Sequence, residues 1–154
     1  MSTSAVPAVI DALVTATRTS LPSLRVYDGV GISDDPGDWL MIGVDDPDVE
    51  SRRRTFAATA RQEWAHANFT ARDEEGDVTC VAMSWNGDAD IKAARDAVYA
   101  TTAAVETVLR ANPSLGVPNV LWTSFGPDLD LSQMQGENGA SAFVIFTVRF
   151  RARL

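Results

Sequence analysis

Apolar and polar positions alternate most regularly at the end of the chain, from Ala142 to Leu154. Ala142, Val144, Phe146, Val148, Phe150, Ala152 and Leu154 fall on one side. Phe143, Ile145, Thr147, Arg149, Arg151 and Arg153 fall on the other, which predicts a half-buried strand of fixed register. A second pattern lies between Thr70 and Pro113. Val78 to Trp85 is nearly all apolar or small, as suits a central strand or one covered on both faces. Asp73-Glu74-Glu75-Gly76-Asp77 before it reads as a charged turn, and Asn86-Gly87-Asp88 after it as a break. From Asp90 onward Ile91, Ala94, Val98, Thr102, Val105 and Val108 or Leu109 recur at three- and four-residue steps, one stripe of a long helix. Asn112-Pro113 stops that helix, because the residue before a proline is pushed out of helical geometry.

The rest of the chain supplies smaller elements. Ser4 with Pro7 marks a helix start, and Val6, Ile10, Leu13, Thr17 and Leu21 give a shorter stripe ending before Pro22. Leu24–Tyr27 and Trp39–Val44 read as strands, with turns at Asp28-Gly29, Asp34-Asp35-Pro36-Gly37 and Asp45-Asp46-Pro47-Asp48. Phe56 to Phe69 fits either period; the strand is favoured, because the 73–77 turn then closes a hairpin onto Val78–Trp85. Val120–Phe125 is a further strand. Exposed polar loops are expected over about 46–58 and 126–140. The sum is a single α+β domain over 1–154, with a mostly antiparallel sheet, one long helix and a shorter N-terminal helix packed on it.

Composition narrows the chemistry. With 154 residues, 45% hydrophobic and 22% charged, the chain is long enough to bury a core. A formal net charge of −8 disfavours general nucleic-acid binding, since such a surface repels phosphates. The one cysteine, Cys80, excludes an internal disulfide and fits a reducing compartment or a place where disulfides are unnecessary. The first residues lack a basic region followed by an apolar stretch, and no apolar run approaches bilayer-spanning length, so a protein made in a cytoplasm and with no membrane partner is expected.

Candidate catalytic devices are sparse. His66 is the only histidine, and Cys80 could face it across the 56–85 hairpin, yet neither sits in a nucleophile signature. A buried small thiol and a packed or surface imidazole is the simpler reading. Asp34, Asp35, Asp38, Asp45, Asp46 and Asp48 lack the calcium-loop spacing and read as turn caps. One Cys and one His cannot close a zinc site, and no phosphate-binding loop is present. No cofactor and no enzymatic activity are expected.

What remains is charge and exposed loops. Arg149, Arg151 and Arg153 share one face of the last strand and need carboxylates, from Asp28, Asp34, Asp35 or a second subunit, or else water; an edge blunted by charge is the alternative. Arg52, Arg53 and Arg54 stand in the first loop, as a grip on an acidic partner or as an ordinary basic loop. Asp128, Leu129, Leu131 and Met134 stand in the second, where the apolar three could meet a partner. These ten residues are the candidate interface.

The order of elements, together with Trp64-Ala65, Arg72-Asp73-Glu74-Glu75, Ser84-Trp85-Asn86-Gly87-Asp88, Ala94-Arg95-Asp96, Val105-Glu106, Leu109-Arg110 and Gly139-Ala140…Val144…Phe146-Thr147-Val148, resembles tail terminator proteins of long-tailed, siphovirus-type bacteriophages. The likeness runs from Ala5 to Leu154 through structural punctuation with no chemical signature. It implies an α/β subunit of a six-membered ring at the head–tail junction of the virion, assembled in the host cytoplasm. One ring face would meet the major tail tube protein and stop polymerisation. The other would meet the head-completion connector, and DNA would pass through the hole without specific binding. Another neck or tail-tube component is the alternative within this class. A small cytoplasmic enzyme or ligand-binding module using His66 and Cys80 is the alternative outside it.

Overall fold

The computed structural model describes residues 2–31, 37–45, 56–65 and 71–154. Its elements in chain order are α1 (Val6–Ser20), β1 (Arg25–Asp28), β2 (Trp39–Ile42), β3 (Ala58–Trp64), β4 (Arg72–Asn86), α2 (Ile91–Ala111), β5 (Val120–Gly136) and β6 (Gly139–Arg153). The six strands form one sheet in the order β1-β2-β4-β6-β5, with β3 paired to β4 below β2. All pairings are antiparallel except β1 with β2. This is the α+β fold expected from the two helical stripes and the alternating strands.

Both helices lie against the same face of the sheet. Ala94, Val98, Val105 and Leu109 of α2 and Val9 and Leu13 of α1 pack in one core with Val78, Cys80 and Ala82 of β4 and the even-numbered residues Ala140–Ala152 of β6. The α2 stripe is buried where the spacing placed it from Ala94 to Leu109, while Ile91 at its start is partly buried. On α1 the buried face is rotated slightly, to Val9, Leu13, Val14 and Thr17, while Val6, Ile10 and Leu21 are partly buried. Asp90 caps α2, its carboxylate accepting from the Ala93 N–H at 3.0 Å. On the opposite face a smaller cluster forms from Trp39, Met41, Val44 and Val81, with Tyr27, Met83, Phe143 and Ile145 packed beside it. That second cluster explains why β2 is buried throughout and why β4 is apolar on both faces.

Two expectations are corrected. Asp73–Asp77 is strand, not turn. It pairs with β3 from Ala58↔Val78 to Trp64↔Arg72 and with β6 from Asp73↔Arg153 to Asp77↔Arg149. The pairing of β3 with β4 therefore ends at Trp64↔Arg72, beyond which the Ala65 N–H donates to the Ala71 carbonyl at 2.9 Å. β3 consequently meets the first half of β4, and β2 meets Cys80–Met83. The physical reason is that each residue of the acidic run has a partner. Asp73, Glu75 and Asp77 face arginines of β6, and Glu74 turns to the helix side. Gly76 leaves room for the Phe150 ring, 2.6 Å from where a Cβ would stand.

The second correction concerns 126–140. β5 continues to Gly136, and a two-residue turn at Glu137-Asn138 returns the chain into β6. A register shift between Phe125 and Leu129 sets the three residues Gly126–Asp128 opposite Thr147 alone, a bulge. Gly126 is required there, since a Cβ would come within 2.0 Å of the Thr147 hydroxyl oxygen. The expected loop 46–58 lies outside the described residues apart from Phe56–Ala58, and Ala58 already opens β3.

Glu74 ties the N-terminal helix to the sheet. Its carboxylate is fully buried and accepts from the Ser4 hydroxyl at 2.5 Å, the Ala5 N–H at 3.1 Å and the Gln62 amide at 3.0 Å. Ser4 in turn accepts from the Val6 N–H at 3.1 Å. A carboxylate thus sits where the α1 dipole and its unpaired N–H groups favour negative charge.

Candidate assembly surface

The face of the sheet away from the helices has two halves. Around β2 and the middle of β6 it is the small apolar cluster; toward the β3 end it is charged. Antiparallel register sets Arg149 opposite Asp77, Arg151 opposite Glu75 and Arg153 opposite Asp73. Arg149 Nε lies 3.1 Å from Asp77, and Arg151 reaches Asp73 at 3.4 Å and Glu75 at 3.5 Å. Arg153 binds Asp73 through both Nε and a terminal nitrogen, the latter at 3.2 Å. Hydrogen bonding from Arg153, with Arg151 beside it, holds the Asp73 carboxyl below its ordinary range.

The arginine ladder therefore has its carboxylates within the same chain, on β4. Asp28 is not among its partners, and Asp34 and Asp35 lie outside the described residues. The partners were legible in principle: Asp73, Glu75 and Asp77 carry the same two-residue period as Arg149, Arg151 and Arg153. Reading the acidic run as a turn concealed it. Arg52, Arg53, Arg54 and His66 also lie outside the described residues.

Asp128, Leu129, Leu131 and Met134 belong to the outer half of β5 rather than to a loop. β5 is the last strand of the sheet, bonded to β6 on one side. Leu129 and Leu131 pair with Phe146 and Val144, at the margin of the main core, while Met134 stands 72% exposed opposite Ser141. The hairpin is braced against α2 by two contacts. Arg95 donates to Gln133 at 3.2 Å, and Gln135 donates to the Ala89 carbonyl at 2.6 Å. The exposed apolar residues of β5 are thus held on an ordered strand.

Cys80 pairs with Ile42 and Phe146 and is 1% exposed. Burial pushes its thiol up to about 12, against a smaller opposing effect of a Gly43 backbone hydrogen bond. The thiol is thus a packed core group, far from thiolate character at neutral pH. Among the described residues no three His, Cys, Asp or Glu side chains are grouped to hold a metal ion. Surface depressions of about 310 and 240 Å³ lie over the charged half, walled by Arg61, Glu75 and their neighbours. Among the described residues no helix is long and apolar enough to cross a membrane.

No protein-family model and no curated protein matches this chain.

Proposed function

We propose that the protein is a structural subunit of a long-tailed bacteriophage, a tail terminator whose ring caps the tail tube and joins it to the head connector. The observation that carries this reading is the β5–β6 hairpin. A small domain presents a braced sheet edge, unpaired among the described residues and bearing Leu129, Leu131 and Met134, as a subunit built to bind other subunits does. The resemblance of the sequence to tail terminators supports the same reading. In it the subunit assembles as a hexamer with the tube protein and the connector as partners. The acidic balance of −8 lets DNA slide through the hole rather than adhere. The protein then acts by end-capping, without a catalytic step.

Negative-stain electron microscopy across a concentration series, with light scattering for mass, tests the ring. Closed rings of about six subunits with a central hole are the expected result. Purified tail tubes then separate a terminator from another neck or tube component. A terminator binds one tube end and stops further growth, whereas a tube protein adds along the tube. Monomers that neither form rings nor cap tubes would refute the assignment.

A further inference from the structure

The two lateral margins of the sheet differ in how they are protected. On one side the outer strands are β1, only four residues long, and β3, seven residues with Arg61 and Glu63 at its centre and end. On the other side stands β5 alone. Proteins commonly blunt an open edge with charge, proline, a bulge or extreme shortness. β5 has all but the last before Leu131: Pro127, Asp128, Asp130 and the bulge. From Leu131 to Gln135 it has none of them, although the strand is regular there and continuously bonded to β6. What such an edge offers is a row of backbone donors and acceptors, and what satisfies it is another extended strand.

We infer that Leu131–Gln135 of β5 pairs with β3 of a neighbouring copy, so that the sheet runs on from one subunit to the next. The inference rests on the ring reading for its closure and adds the surface that makes the contact. β3 is the receiver because it is long enough, unlike β1, and among the described residues it bonds to β4 alone. Charge agrees: the outer half of β5 carries Asp130, and β3 carries Arg61. Among the described residues Arg61 is paired with Glu63, at 2.6 Å between side chains 84% and 66% exposed, an association weak enough to exchange. Two different edges at opposite margins of one sheet make a head-to-tail contact, the kind that closes into a ring when the rotation allows.

Disulfide trapping between full-length copies tests the pairing. Opposed residues in neighbouring strands have Cα atoms about 4.5–5.5 Å apart, inside the range a disulfide spans. One set of variants carries Ser132→Cys, Gln133→Cys or Met134→Cys; the other carries Thr59→Cys, Ala60→Cys or Arg61→Cys. All six positions are exposed, and the native Cys80 is too buried to interfere. Under mild copper–phenanthroline oxidation, mixtures of one β5 variant with one β3 variant are expected to cross-link between copies at same-face positions. Met134→Lys is expected to raise the concentration needed for assembly tenfold or more. Closed rings that form with no β5–β3 link overturn the inference and leave the ring reading standing. β5 variants that link only to themselves overturn β3 as the receiver. Links between β5 and β3 in open chains support the pairing and refute the ring. Monomers with no links at any concentration refute both.

Discussion

Replacing Glu74 tests whether the buried carboxylate anchors α1. In Glu74→Ala three donors lose their acceptor at once: the Ser4 hydroxyl, the Ala5 N–H and the Gln62 amide. Hydrogen bonds to a charged group are worth about 1.5–3 kcal/mol each, and loss of a helix-terminal anion costs up to about 2 kcal/mol in a buried setting. Against this stands the desolvation of the carboxylate itself, several kcal/mol that the variant no longer carries. The balance is a net loss of about 3 kcal/mol for Glu74→Ala. Glu74→Gln separates charge from shape. Its oxygen can still accept from Ala5 and Gln62 while its nitrogen donates to Ser4, so about 1–2 kcal/mol is expected.

The assay is urea unfolding at fixed protein concentration, read as a change in midpoint at constant slope. A cycle with Ser4→Ala should give a coupling of at least about 1 kcal/mol, because the two groups share one hydrogen bond. Amide hydrogen exchange should show the loss concentrated in α1, with α2 protected as before. A Glu74→Ala protein within about 0.5 kcal/mol of wild type, the range of ordinary surface substitutions, would refute the anchor.

Gly76→Ala puts a methyl group 2.6 Å from the Phe150 ring and 2.8 Å from the Thr59 carbonyl oxygen, so a loss of about 1–3 kcal/mol is expected by thermal unfolding. A stability equal to wild type would show that the two strands separate there more easily than the packing implies. The lowered Asp73 pKa means that its contribution is complete above the ordinary value of 3.8 and is lost as pH falls below it. Acid titration of Asp73→Asn should therefore show a shallower loss of stability below about pH 4 than wild type; an unchanged curve contradicts the Arg153 pairing. Cys80, pushed up by burial, should resist a thiol-specific chromogenic reagent at pH 8 in the folded state and react fully in denaturant. Because its raised pKa favours the folded state only while the unfolded thiol stays protonated, that contribution fades as pH rises from about 9 toward 12.

The helices and β6 were legible because each shows its own burial in its own sequence. Val98, Val105 and Leu109 recur with the helical period, and Val144, Phe146 and Val148 with the strand period. The residues misread are those whose conformation is set by partners distant in the chain. Asp73, Glu75 and Asp77 have a turn-like composition, and only arginines more than 70 positions away make them a strand. The outer half of β5 shows little hydrophobic alternation because, among the described residues, it pairs with β6 alone and its side chains stay exposed. Its conformation is imposed by β6, whose pattern was clear, and by the Glu137-Asn138 turn. The candidate interface followed the same division. Leu129, Leu131 and Met134 were recognisable as exposed apolar residues, but the backbone edge that carries them was not.

The ladder on the charged half changes which of the candidate residues can bring subunits together. Arg149, Arg151 and Arg153 are matched in number by Asp73, Glu75 and Asp77, so this patch is nearly neutral as it stands. An acidic partner would have to displace intrachain carboxylates already within reach, which leaves little net gain from half-exposed ion pairs. Reversing all three arginines would put six carboxylates side by side and strain the sheet itself. Assembly failure in that variant could not be separated from misfolding. An exchange of Asp77 and Arg149, Asp77→Arg with Arg149→Asp, keeps the intrachain pair, reverses its outward polarity and leaves Asp73 with Arg151 and Arg153. Stability within about 1 kcal/mol of wild type with unchanged assembly is the outcome that follows if the ladder only stitches β4 to β6. In that case the attraction between copies falls to the uncharged edge of β5, which among the described residues pairs with β6 alone and carries exposed side chains.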